Sequence, residues 1–512
     1  DRGEQSERLL DLRMACLSRH VQEIHAVTDL LIVADAAVVE RAIDAVDALP
    51  PIARCADAKA LLADLPPPED PRSALAVEAI RRDLAGAAAL RRLARYDAGL
   101  VAADAAVVAA DATGYRPVYA EAQLLRGRTQ DLADRNDAAE ASLVSAYTAA
   151  LAVRHDAVAR DAAAALAAVV RERGRLDDAE LWLEIAAAAL ARAPDEEAAA
   201  YLDLVRSRVA WDRGRYPEAE ALVERSVVAY DALHGPDNPA TAHAREWLGT
   251  ALWSHQQFDR SKEVLQQARA SLERIYGPDH PEVAFALRFE GNLSFVLTDL
   301  DDAIARFTRA ADILRRVRGP DDALVLTMEG NIAASHGRAG RIDDARRVFT
   351  AQLAARERAL GPDHPDLAPT LDNLATTNLQ LRAFPEARAA IDRALELRRN
   401  TLGEGHVEIA RSLLLLGEWA TLTGDFDLAI STLERALALR TTTDVHVLLI
   451  HRARFQLAKT LWASDRDRAR ARVLLDEALA GFAALGPAGS LDIKDVEVWR
   501  AANVPEYMPE AP

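Results

Sequence analysis

The stretch Gly361-Pro362-Asp363-His364-Pro365-Asp366-Leu367-Ala368-Pro369-Thr370-Leu371-Asp372-Asn373-Leu374-Ala375 decides the fold. Its opening returns as Gly235-Pro236-Asp237-Asn238-Pro239, Gly277-Pro278-Asp279-His280-Pro281, Gly319-Pro320-Asp321-Asp322 and Gly403-Glu404-Gly405-His406, so that with Gly361 in its place each Gly lies 42 residues after the last. A Gly placed after a helix supplies the left-handed residue that ends it. Asn238 or His280 then serves as the cap of the next helix, with Pro239 or Pro281 at its first position, where a missing N–H costs nothing. A second marker runs half a period out of phase: Gly214-Arg215-Tyr216-Pro217-Glu218-Ala219, Gly340-Arg341-Ile342-Asp343-Asp344-Ala345 and Gly424-Asp425-Phe426-Asp427-Leu428-Ala429. Weaker copies, such as Gly174-Arg175-Leu176-Asp177-Asp178-Ala179 and Arg95-Tyr96-Asp97-Ala98, extend it towards the N-terminus at a spacing of 40. Between markers the apolar residues recur at three and four positions, as in Leu371, Leu374 and Ala375. Each repeat is therefore read as two antiparallel helices, closed by Gly-led turns.

Composition agrees. Half of the 512 residues are apolar, mostly Ala and Leu, and only 5% are aromatic, so small side chains allow close helix crossings. The charge of −18 and pI near 5.2 argue against nucleic acid as a general partner, although a local basic groove can hide among 62 Lys and Arg. No apolar run reaches the roughly 18 to 20 residues of a membrane span, so no membrane insertion is expected. The chain begins at Asp1, without Met or a signal-like segment, which suggests a piece of a longer polypeptide. Cys16 and Cys55 are either a disulfide or two buried thiols; spacing decides nothing, and we favour reduced thiols.

Chemistry is not signalled. There is no Gly-rich phosphate loop, His-Arg-Asp, Asp-Phe-Gly, His-Glu-x-x-His, Cys-x-x-Cys or Gly-x-Ser-x-Gly, so no catalytic residue, metal ligand or cofactor is expected. Asp279, His280, Asp363, His364 and His406 resemble metal ligands in type, but they recur one repeat apart and are read as caps; Asp301, Asp302, Asp343 and Asp344 are read as helix starts. Trp182, Trp211, Trp247, Trp253, Trp419 and Trp462 sit at helical spacings, so most of them are expected in the core. Trp499 is assigned to a cover over the last repeat, whose apolar face would otherwise meet water.

These markers resemble the tetratricopeptide repeat in the 42-residue form of kinesin light chain, and the quoted 361–375 stretch looks near-consensus. The resemblance covers roughly residues 72 to 485. It implies an all-α fold: a right-handed α-solenoid superhelix of about ten tetratricopeptide-type helix pairs with a small helical N-terminal segment. The expected organisation is residues 1–70 as that segment with its Pro-rich linker (Pro66 to Pro71), 71–485 as the superhelix, and 486–512 as a C-terminal cap and tail. Within the first part, helices are expected over Glu4–Val33 and Ala36–Leu49.

In the family the first helix of each repeat lines a concave groove that binds a protein or peptide. Aligned on the turns, Asn331 and Asn373 fall at one groove position and Asn292 at another, with Arg288, Arg338 and Arg411 on the same face. An Asn amide both donates and accepts to an extended backbone, and an Arg fork holds a carboxylate. Asp372 and Glu418 are expected to make the groove mixed in charge. The stretches Arg2-Gly3-Glu4-Gln5-Ser6-Glu7-Arg8-Leu9-Leu10-Asp11-Leu12-Arg13-Met14-Ala15-Cys16-Leu17 and Leu49-Pro50-Pro51-Ile52-Ala53-Arg54-Cys55-Ala56-Asp57 resemble the segment before the repeats in bacterial serine/threonine protein kinases. That resemblance implies a non-catalytic regulatory module of a kinase, cytoplasmic or, beyond a membrane span of the parent protein, extracytoplasmic. A sensor of a small ligand or peptide, or a free-standing assembly scaffold, are the other readings. Oligomeric state is left open.

Overall fold

A computed structural model describes residues 7–63, 65–406, 408–440, 447–484 and 490–504. The described residues form helices joined by turns and no strands, the all-α class that the resemblance implied. The expected helical start at Glu4–Ser6 and the tail from residue 505 lie outside them.

The N-terminal segment holds α1 (Glu7–Ile32), α2 (Ala36–Glu40), α3 (Ala42–Asp47), a 3-10 turn over Ile52–Ala56 and α4 (Ala58–Ala63). The expected helix Ala36–Leu49 is broken at Arg41 (φ −103°, ψ 4°). Asp35 starts α2 by accepting from the Val38 N–H at 3.0 Å, while the Arg41 guanidinium is drawn to Asp44 at 3.3 Å and Glu282 at 3.0 Å.

Five helix pairs follow in the first of two compact units, which runs to Val283. They are α5 (Pro71–Arg92) with α6 (Tyr96–Thr113), α7 (Arg116–Leu132) with α8 (Asn136–Ala152) and α9 (Asp156–Glu172) with α10 (Leu176–Arg192). Then come α11 (Glu196–Asp212) with α12 (Tyr216–His234), and α13 (Pro239–Ser254) with α14 (Phe258–Tyr276). The second unit starts at Ala284, inside α15 (Pro281–Val296), which pairs with α16 (Leu300–Arg318). It continues with α17 (Ala323–Arg338) and α18 (Ile342–Leu360), α19 (Ala368–Gln380) and α20 (Phe384–Leu402), and α21 (Ile409–Thr423) and α22 (Phe426–Arg440). The last pair is α23 (Val447–Ala463) with α24 (Arg468–Ala484), and α25 (Ser490–Asn503) ends the described chain.

The markers do what their chemistry requires. Gly235, Gly277, Gly319, Gly361 and Gly403 sit at φ 81–90°, a conformation an L side chain avoids, and end their helices. Asn238, His280, His364 and His406 each accept a backbone N–H two residues on, so the histidines are caps. The change of period has a visible site. The second helix is 19 residues long in α14, α16, α18 and α20 but 17 in α8 and α10, so the two extra residues lengthen it.

Within a pair, a small residue admits a large one. At Gly417 an added Cβ would stand 2.5 Å from Leu433 Cγ, and Gly249 meets Leu265 in the same way. The marker alanines Ala219, Ala303, Ala345, Ala387 and Ala429 are fully buried. Successive repeats are further tied at their turns by Arg–carboxylate pairs such as Arg173–Glu140 (2.7 Å), Arg341–Asp301 (2.8 Å) and Arg470–Glu434 (2.7 Å). Each exposed pair is worth about 0–1 kcal/mol, so they set register more than stability.

The thiol expectation is corrected. Cys16 and Cys55 are joined as a disulfide, Cα to Cα 5.6 Å, because the turn that carries Cys55 folds back onto α1. Of the six tryptophans, Trp182, Trp211, Trp247, Trp419 and Trp462 pack half-buried against core clusters, and an indole N–H that needs an acceptor keeps one edge at a polar rim. Trp247 donates to Ser207 at 2.6 Å, Trp211 to Ser254 at 2.8 Å and Trp419 to the Phe384 carbonyl at 2.9 Å. Trp499, on α25, packs edge-on to Phe455 (5.9 Å) and Trp462 (6.5 Å) of α23.

The first unit has one further feature. Residues 40–47 fasten onto the Gly-Pro-Asp turns around Gly235 and Gly277. Asn238 Nδ2 donates to Asp47 at 2.8 Å, the Tyr276 hydroxyl donates to Asp44, and His280 Nε2–H donates to the Glu40 carbonyl at 3.0 Å. Because His280 Nδ1 accepts the Glu282 N–H at 3.2 Å, the ring is fixed in one tautomer between the two segments. This strap joins positions as much as 241 residues apart.

Candidate functional site

In the second unit the first helices α15, α17, α19 and α21 carry the expected binding residues, and α19 and α21 are in contact. The polar centre of this wall is at Asp372. That carboxylate is fully buried; it accepts from Ser412 at 2.7 Å and pairs with Arg398 at 2.8 Å, itself 4% exposed. Burial pushes the Asp372 carboxyl up, against the pull of Arg398 and Ser412. Asp372 is therefore not a charge facing the groove, as expected from sequence, but the base of a buried network. Glu418 is half-buried, and burial raises its carboxyl against the pull of Lys459.

At the surface edge of that network Arg411 Nη2 donates to Asn373 Oδ1 at 3.0 Å, with its Nε 3.5 Å from Asp372. The structure thus brings two of the six candidates, Asn373 and Arg411, into contact. Arg338 lies with its guanidinium 4.7 Å from the Phe295 ring centre, and Arg288 lies 4.5 Å from that of Phe289. Such stacking leaves the edge of the Arg338 fork facing outward. Asn331 and Asn292 are half-buried, and among the described residues neither side-chain amide has a protein partner. Among the described residues, no hydrogen bond joins Asn292, Asn331 and Arg338.

A second polar site, missed from sequence, lies in the first unit. Helix α1 roofs a cleft of about 380 Å³ whose floor is α5, α7 and α9. Arg81 holds Glu121 by two parallel hydrogen bonds, 2.9 and 3.1 Å, and His155 Nε2 lies 3.5 Å from the same carboxylate. Burial opposes the charge on Glu121, but His155 and Arg81 outweigh it and hold the carboxyl at about 2. From the roof, Glu23 accepts from Arg92 at 3.2 Å. Arg81 and Glu121 stand 40 positions apart, one short period. That interval was a signal in the sequence, but nothing there showed that α1 would lie across it.

An array of paired helices with Gly-led turns and a small residue at each crossing is a helical repeat protein. A tetratricopeptide-repeat family model matches residues 197–274, 246–316, 324–390 and 379–442, so these residues are tetratricopeptide repeats. A sequence comparison with curated proteins gives no match. Among solved structures, the apo form of RapI aligns at TM-score 0.52 and 12% identity, over 70% of this chain and 98% of that one, which shows a shared fold. BtubC (BKLC) from P. vanneervenii aligns at TM-score 0.38 and 21% identity, over 50% of this chain and 95% of that one. Kinesin-light-chain TPR-like repeats from Podosopora anserina align at TM-score 0.37 and 15% identity, over 41% and 99%.

Proposed function

We propose that this chain is a protein-binding module that takes an extended segment of a partner on the first-helix wall of its second unit. The observation that carries the reading is the Arg411–Asn373 couple, braced from below by the buried Asp372–Arg398–Ser412 network. A surface group held by a packed second layer meets a ligand without much ordering cost. Asn331 and Asn292 offer amides on the preceding first helices, and Arg338 offers the edge of a stacked guanidinium. We assign the module, on the resemblance of residues 2–17 and 49–57, to the regulatory region of a bacterial serine/threonine kinase. Catalysis has no part in this reading.

The test is selection of peptides from a displayed random library, with each selected peptide measured against the triple variant Asn292→Ala, Asn331→Ala, Asn373→Ala. We expect affinity to fall about tenfold or more, the loss of one to two hydrogen bonds, at an unchanged melting temperature. Equal affinity for parent and variant would remove the wall from the reading. The second reading, a sensor of a small ligand, is favoured by the roofed cleft of the first unit.

A further inference from the structure

We infer that the outward face of α1 is a dimer interface, on which a second copy of this chain lays its own α1 antiparallel. Leu10, Met14, Leu17, Val21 and Ile24 follow one another at intervals of 4, 3, 4 and 3. They are 50%, 56%, 37%, 51% and 38% exposed. Thr28 carries the row one step further and is exposed too. A mean interval of 3.5 is that of a coiled-coil seam, which winds around another helix. Elsewhere exposed apolar side chains such as Leu181, Val317 and Leu422 stand one to a helix, which is ordinary for a surface.

The row is not the face by which α1 holds to its own chain. That face carries Cys16, bonded to Cys55, Glu23, paired with Arg92, and Val27, packed with Ala89 and Leu93. With one side of the helix pinned at three points, the other is a fixed strip that loses little freedom when it is covered.

The occupant follows from shape and charge. A two-fold contact needs one patch to fit itself, and a heptad row does so. With the axis level with Arg19, Leu17 meets Val21 of the second copy, Met14 meets Ile24 and Leu10 meets Thr28. The flanking row Asp11, Ser18 and His25 then sets each Asp11 beside His25 of the second copy, acid beside base. A parallel pair would set His20 beside His25, base beside base, so charge selects the antiparallel sense. The 26 residues of α1 form a rod of about 39 Å. Its contact with a copy covers roughly 1,200 Å² in total, the lower end for a specific interface, so association is expected in the micromolar range. Because this face lies in the first unit, it stands or falls apart from the peptide wall of the second.

The experiment is sedimentation equilibrium of the whole chain from about 1 to about 100 μM, which brackets a micromolar dissociation constant. The parent is expected to pass from 55.6 kDa towards twice that mass over this range. Leu17→Glu with Val21→Glu gathers like charges at the axis and is expected to leave a monomer throughout, a loss of about hundredfold or more, at unchanged helicity. Leu181→Glu, on α10, is expected to change nothing. His25→Glu alone is expected to weaken the dimer severalfold, and adding Asp11→Lys to restore it, a rescue that damage to the fold does not imitate. The proposal fails if the parent remains a monomer at the highest concentration, which would leave the row to a helix of another protein. It fails equally if the dimer survives Leu17→Glu with Val21→Glu, or if Asp11→Lys does not rescue His25→Glu.

Discussion

The two units are built from the same helix pair but are held together differently. In the second unit the described polar side-chain contacts join neighbouring repeats, about 40 positions apart, as with Asp372–Ser412 and Thr421–Thr460. In the first unit the same contacts are present, and the strap adds others that span 191 to 241 positions. A solenoid's stability is ordinarily a sum of repeats and nearest-neighbour interfaces. The second unit fits that description, and the first departs from it.

The largest expected effect tests the second unit. Asp372→Ala leaves Arg398 buried without its carboxylate, and is expected to cost about 3–5 kcal/mol. Hydrogen exchange should show faster opening confined to α19–α21 and their immediate neighbours. Loss of protection spread over the whole unit would break the nearest-neighbour description.

In the first unit, reducing the Cys16–Cys55 bond opens a loop of 39 residues and is expected to cost about 4 kcal/mol by the chain-entropy relation. A fall in the thermal midpoint with reductant, absent in a Cys16→Ser, Cys55→Ser chain, would establish it. The double change Arg41→Ala, Asp44→Ala is expected to cost about 1–3 kcal/mol, because it takes the guanidinium from Glu282 and the acceptor from the Tyr276 hydroxyl. Exchange should then quicken both in α2–α3 and around Gly277. If only the N-terminal helices respond, the strap is a passenger.

A pH effect follows from the same corner. His243 lies 3.0 Å from Glu246 and 3.6 Å from Glu282. Burial works against its charge, but the two carboxylates raise the ring to about 9. The folded value is above the unfolded one, so this contribution is complete below about pH 6.5 and is lost as pH rises to 9. Denaturant midpoints for the first unit should fall over that window, and His243→Gln should flatten the fall.

The smallest effect concerns the turns. Thr298, a β-branched residue, sits at φ 64° where stronger copies of the marker have Gly. Thr298→Gly is expected to stabilise the second unit by about 0.5–1 kcal/mol, read as a raised denaturant midpoint at unchanged slope.

What was legible in the sequence is what the repeat writes several times. The Gly-Pro-Asp-His turns, their caps and the buried marker alanines each recur, so a local physical role could be inferred from one copy and checked on the next. The left-handed residue was visible where it is Gly340 or Gly424 and hidden where it is Gln256, Thr298 or Arg382, which adopt the same conformation at φ 56–64°. Features that occur once were not legible. Asp372 looked like a groove carboxylate because the helical period places it one residue before Asn373, a turn of about 100° that separates wall from interior. The half-burial of Trp247 depended on Ser207, 40 positions away. The disulfide and the roofed cleft depend on where α1 lies, and no periodicity reports that.

The strap has a consequence for how the chain is made. Residues 40–47 leave the ribosome 191 to 241 positions ahead of the turns they fasten to. At roughly 5–20 residues per second they wait about ten to fifty seconds for a docking surface. Throughout that interval Val39, Ile43 and Val46, which even the finished structure leaves 63%, 41% and 52% exposed, have no folded partner of their own. The early repeats must therefore fold as an open array, and the closing contact of the first unit is a late step of synthesis that slower translation past residue 240 would favour.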